Sequence, residues 1–89
     1  MAEDDFISRM EKEGRELEER LRKLTDFLSS IYSKSPVEKE EFYKKNDMDD
    51  GDVDLLQAQS TAMATYANIL LIRYNIARAK KQLPTVASF

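Results

Sequence analysis

Residues 10–31, MEKEGRELEERLRKLTDFLSSI, decide how this chain folds. Met10, Gly14, Leu17, Leu21, Leu24, Leu28 and Ile31 recur there at alternating intervals of four and three, which keeps them on one stripe of a helix and forms a coiled-coil seam. Between them, Glu11–Arg15, Glu16–Arg20, Glu18–Arg22 and Glu19–Lys23 set an acid four residues before a base, each pair supporting the helix by about 0.2–0.5 kcal/mol. This charge run reads as a solvated face. No proline interrupts residues 3–33, so the first helix is predicted over about that range. Gly14, its one glycine, costs the helix about 1 kcal/mol relative to alanine and is a candidate for a close contact.

Beyond this helix, Ser35-Pro36 reads as an N-cap followed by proline at the first helical position, predicting a short helix over 36–45 with Val37, Phe42 and Tyr43 available for packing. Residues 46–52 are polar and end in Asp50-Gly51-Asp52, a turn with a ready N-cap, so a second long helix is expected over 53–82 with Pro84 as its stop. In it Leu56, Met63, Leu70 and Ala77 fall seven apart, with Gln59 or Ser60, Tyr66 or Ala67, and Arg73 or Tyr74 between them. Tyr66 and Tyr74 sit at core-like spacing and are expected to pack.

Neither long helix can bury its stripe alone. The expected fold is all-α: an antiparallel two-helix hairpin crossing at about 20°, with a short connecting helix, one domain over residues 1–89 and a tail over 83–89. Pairing the helix ends gives a register in which facing residue numbers add to about 85. Phe6 is then expected near Arg78 and Arg9 near Arg73, so the open end gathers an aromatic ring and several guanidinium groups.

A chain of 89 residues buries only about 60–65% of the surface its unfolded form exposes. Thin cores are reinforced by disulfides, metals or association, and with no cysteine and no histidine the remaining option is self-association through helical packing. The longest apolar run, Ile69 to Ile72, is far short of the roughly 20 residues of a membrane span. The acidic start, Met1-Ala2-Glu3-Asp4-Asp5, does not read as a secretory signal, and the lack of cysteine fits a reducing compartment, so a cytoplasmic location is expected. A net charge of −3 argues against coating a nucleic-acid polymer. The charge is uneven: residues 55–89 contain Arg73, Arg78, Lys80 and Lys81 and no acid.

Zinc sites, histidine bases and cysteine nucleophiles are excluded by composition, and two glycines in separate segments make no phosphate loop. Asn46-Asp47-Met48-Asp49-Asp50-Gly51 departs from a calcium loop, with Met48 at its third position and Gln57 at its twelfth, and reads as an acidic turn at a helix start. No catalytic residue, metal site or cofactor is expected, and the chain reads as a binding protein. Two readings stay open for Phe6: a staple or oligomer contact, or a surface on which a ligand stacks. Arg78, Lys80 and Lys81 either complement the negative end of the helix dipole or meet phosphates, which suit the planar fork of arginine.

Phe6-Ile7-Ser8-Arg9-Met10-Glu11-Lys12-Glu13, continuing through Glu16-Leu17, Arg20-Leu21-Arg22-Lys23-Leu24 and Phe27-Leu28-Ser29, and then Gln59, Ala62-Met63, Tyr66, Ile69-Leu70 and Arg73, resembles a known family. It is similar to the helical-hairpin domain of phage anti-CBASS and Thoeris anti-defence sponges over roughly residues 5–76. The tail Pro84-Thr85-Val86-Ala87-Ser88-Phe89 is similar to the ending of one anti-CBASS member. The resemblance implies a phage protein acting in the cytoplasm of the infected bacterial host. It would assemble from hairpins, often as a hexamer, and sequester a cyclic di- or trinucleotide or a cyclic ADP-ribose-type signal without cleaving it. By matching position it gives Phe6 the stacking role and Arg9 a phosphate role, with Arg78 and Thr85 as further ligand-binding residues; Arg73, which the register sets near Arg9, is the fifth candidate. The rival expectation is a non-catalytic protein-interaction or structural module that uses the same open end to contact a partner helix.

Overall fold

A computed structural model describes residues 2–89, with side chains from Phe6 onward. The chain is all-helical and, among the described residues, has no strand: α1 spans Ala2–Tyr32, α2 Pro36–Asn46 and α3 Asp50–Lys80.

The breaks between helices follow from local side-chain chemistry. Ser35 caps α2 through a reciprocal pair in which Glu38 N–H donates to Ser35 Oγ and Ser35 N–H donates to Glu38 Oε1, both at 3.2 Å, with Pro36 entering the first turn. Asp47 ends α2 in the left-handed region, at φ 52°. Asp49 and Asp52 then form a second capping box, at 2.9 and 3.0 Å. This corrects the expected start of the last helix. Asp50-Gly51-Asp52 is the first turn of α3 and not a preceding loop, because Asp49 satisfies the orphan N–H of Asp52. At the other end the helix breaks before Pro84 is reached: Gln82 turns to φ 59° and Leu83 N–H closes on Arg78 O at 3.0 Å.

Helices α1 and α3 pack along their length in opposite directions, the start of α1 against the end of α3. Near one end the Tyr74 hydroxyl donates to Glu11 Oε2 at 3.3 Å; toward the other, Tyr32 donates to Gln57 Oε1 at 3.2 Å. Along α3 the structure selects Ser60, Ala67 and Tyr74 from the alternatives, so the buried positions Val53, Ser60, Ala67 and Tyr74 form one row and Leu56, Met63, Leu70 and Ala77 the next. Tyr74 is 3% exposed, as its spacing indicated, but Tyr66 is 43% exposed. Its neighbour Ala67 takes the inward position, because a small side chain lets the two helices approach.

The interior forms two clusters. At the elbow, Leu28, Ile31 and Val53 are buried beneath Phe27, Phe42, Tyr43 and Met48, with the Phe27 and Phe42 rings 6.0 Å apart. At the open end, Ile7, Met10, Leu17, Ala67, Leu70 and Tyr74 pack with Val86 and Phe89 from the tail. The result is a rod of 56 × 20 × 15 Å with a radius of gyration of 17.9 Å, against about 12 Å for a compact domain of this length. Its accessible surface, 6515 Å², exceeds the roughly 5,400 Å² expected for a folded monomer of its mass.

Candidate functional site

Where α1 begins and α3 ends, the two helices border a groove of about 560 Å³. Phe6, Ile7 and Arg9 line it from α1; Arg73, Ile76, Ala77, Lys80 and Lys81 line it from the end of α3 and the residue after it. Helical spacing explains the gathering: positions 73, 76, 77 and 80 share one side of α3, and positions 6 and 9 share one side of α1. Phe6 lines the groove and is 52% exposed. The floor is apolar and the rim carries four cations, with no acid among the described lining residues. Such a volume lies within the range of small-molecule sites, and such a rim favours an anion carrying a flat apolar ring.

Just beyond Arg73, Tyr66 donates to Glu13 Oε1 at 2.7 Å across the helix pair. That hydrogen bond raises the Tyr66 phenol above its ordinary pKa, assisted by partial desolvation and opposed by the nearby Arg73 charge.

The structure divides the five residues singled out from sequence. Phe6, Arg9 and Arg73 share the groove. Arg78 does not line it, contrary to the expected pairing with Phe6. Its guanidinium lies 5.5 Å over the Tyr74 ring and donates from Nη1 to Tyr74 Oη at 3.3 Å and from Nε to Pro84 O at 2.8 Å. Five residues from Arg73, it has rotated to a different side of α3 and is taken up by the tail. Thr85 lies in that tail, exposed, between two anchored residues.

What holds the tail is a set of residues that sequence reasoning missed. Asn75 and Val86 form a two-way amide pair, Nδ2 donating to Val86 O at 2.8 Å and Val86 N–H donating to Oδ1 at 2.9 Å. Phe89 folds back against Tyr74, ring centroids 5.1 Å apart, and its carbonyl accepts from Arg15 Nε at 3.2 Å. Gly14 explains why the ring fits. A Cβ at that position would overlap the Cε2, Cζ and Cδ2 atoms of Phe89. The close contact anticipated at Gly14 is thus with the chain's own tail, and Gly14 together with a distant phenylalanine was the only signal of it in the sequence. Tyr74, Glu11 and Arg15 complete the clamp, Arg15 pairing with Glu11 at 2.5 Å.

Among the described residues there is no group of three carboxylates placed to hold a metal ion, and no helix long and apolar enough to cross a membrane. No buried side-chain nitrogen or oxygen among them lacks a partner.

Fold and groove together define a small all-helical protein with a ligand-sized, cationic, aromatic-edged groove between its two long helices. The model of the Sequestin family matches residues 4–76, most of the chain, and the protein belongs to that family, consistent with the resemblance to phage anti-CBASS and Thoeris sponges. No curated protein and no solved structure matches the chain.

Proposed function

We propose that the protein is a phage anti-defence sponge that binds a cyclic nucleotide immune messenger at the open end of its helical hairpin and withholds it, uncleaved, from the host effector. The observation that carries this reading is the groove in which Phe6, Arg9 and Arg73 meet over an apolar floor. Membership of a family whose name speaks of sequestration supports it. A base stacks on the Phe6 ring, a contact of about 1–3 kcal/mol, and the guanidinium forks of Arg9 and Arg73 take the phosphates. Lys80 and Lys81 add positive charge to the rim. Arg78 holds the tail from the last turn of α3 through Pro84 O, and Thr85 acts from that tail beside the groove.

One groove offers one ring. Two hairpins meeting at their open ends would offer two rings and two sets of arginines, matching a ligand with two bases and two phosphates, and closed symmetry would cover the apolar surface that the rod leaves exposed. The proposed protein is therefore a homo-oligomer, up to a hexamer, working in the cytoplasm of the infected bacterium. Its action is stoichiometric, with no catalytic residue and no cofactor.

The test is isothermal titration with cyclic di- and trinucleotides and cyclic ADP-ribose isomers, followed by heat release and chromatography of the ligand. Binding with recovery of intact ligand is expected. Absence of binding across the panel overturns the reading in favour of a protein-interaction module, and recovery of a cleaved product overturns the sponge.

A further inference from the structure

Helix α3 carries a second seam. Leu55, Ala58, Ala62 and Thr65, followed by Ile69, Ile72 and Ile76, recur at alternating intervals of three and four, and every one of them is exposed. At 3.6 residues per turn this stripe lies on roughly the opposite side of the helix from the row that packs on α1. Ile69, Ile72 and Ile76 are 42%, 51% and 50% exposed, and Leu55 is 71% exposed. A solvated helix face has no use for three isoleucines in heptad register, and a stripe of this kind marks an interaction surface.

The order of residues along the stripe selects the occupant. Its first half is small, Ala58, Ala62 and Thr65, and its second half is large. Laid antiparallel on a copy of itself about a two-fold axis at Thr65, the stripe sets Ile69 against Ala62, Ile72 against Ala58 and Ile76 against Leu55, large against small at the inner positions, as close packing requires. Laid parallel, it would stack isoleucine on isoleucine at one end and leave voids over alanine at the other. Charge agrees. The antiparallel arrangement sets the acidic start of α3, Asp50 to Asp54, against the basic end of the other copy, Arg78 to Lys80, at both ends, whereas the parallel one sets like charges together. Thr65 tolerates burial at the axis because its hydroxyl already donates to Thr61 O at 3.1 Å, which leaves its methyl group to the face.

We infer that a second copy of this chain docks antiparallel on the exposed Leu55–Ile76 face of α3, with the two-fold axis at Thr65. The inference rests on the self-association part of the proposed function, and its face borders the ligand groove at Ile76. It leaves the two grooves at opposite ends of the pair, where a separate end-to-end contact can extend the assembly.

The chain has no cysteine, so single cysteines report the register without background. Under mild oxidation Thr65→Cys is expected to cross-link to itself in high yield. Ile72→Cys alone is expected to stay uncross-linked, and Ile72→Cys mixed with Ala58→Cys to form the mixed dimer. Self-cross-linking of Ile72→Cys without that of Thr65→Cys would overturn the antiparallel register. In sedimentation equilibrium, Ile72→Asp is expected to lower the assembled mass at least two-fold with helicity retained by circular dichroism. An unchanged mass overturns this surface while sparing the assembly, and a monomeric wild type overturns both.

Discussion

The elbow and the open end of this rod are built from similar numbers of apolar side chains, yet they are closed in different ways. At the elbow, Ile31 is completely buried and Leu28 and Val53 nearly so, because α2 lays Phe42 and Tyr43 across the gap between α1 and α3 and two capping boxes fix its entry and exit. At the open end no connecting segment is available. The tail takes that place on one side, wedging Phe89 over Gly14, and the other side is left as a groove with Phe6 half exposed. Two long helices bridged by α2 are closed at that end by the chain itself, while at the other end part of their surface is left uncovered.

If this division holds, damage at the elbow is felt in stability and damage at the groove in binding. The largest effect on stability is expected from Ile31→Ala, a truncation in the fully buried position, which should cost about 2–5 kcal/mol in urea unfolding and leave the affinity of the folded protein unchanged. Phe6→Ala reverses the pattern. Its stability should move by no more than about 0.5 kcal/mol, since the ring is half exposed, while affinity for the messenger falls by roughly 10- to 100-fold with the loss of one stacked base. A stability loss as large as that of Ile31→Ala would contradict this division between elbow and groove.

The tail gives a sharper test. Gly14→Ala gains about 1 kcal/mol of helix propensity but collides with the Phe89 ring. In the wild-type background the expected net change is within about 1 kcal/mol, accompanied by faster amide exchange at Val86 as the tail is released. In a Phe89→Ala background the collision is gone, and Gly14→Ala should stabilise by about 1 kcal/mol. A change of the same size in both backgrounds would show that Phe89 does not occupy the Gly14 notch.

The smallest effect is pH-dependent and belongs to the elbow. Asp50 lies below its ordinary pKa because the Tyr43 hydroxyl and then Lys39 donate to it, and Glu38 is lowered by its hydrogen bonds with Ser35. A carboxylate with a depressed folded-state pKa contributes stability that is present above its unfolded value and lost as pH falls through the folded one. The elbow should therefore loosen only below about pH 4, read as a decline in amide protection over 36–53 before the rest of the chain.

Much of this architecture is legible in the sequence, because the α1 stripe repeats without ambiguity and Ser35-Pro36 has one good reading. The second long helix is harder. It is apolar on two sides, so the pattern alone does not say which of Tyr66 and Ala67 faces inward, and packing against α1 decides it. Asp50-Gly51-Asp52 looks like a turn until Asp49 is seen to cap Asp52. At the open end, the gathering of Phe6, Arg9 and Arg73 follows from laying two helices side by side. Arg78 and Thr85 are diverted to the tail by hydrogen bonds from Arg78 to Pro84 and between Asn75 and Val86, and partnerships of this kind have no period in the sequence.

On the proposed reading, the open-end groove is where the messenger is held. This is tested most directly by hydrogen exchange with and without the cyclic nucleotide that binds tightest in the titration panel. Added protection confined to residues 6–10 and 73–81 is the predicted result. Protection centred on the elbow, over residues 36–56, with the open end unchanged, would contradict it.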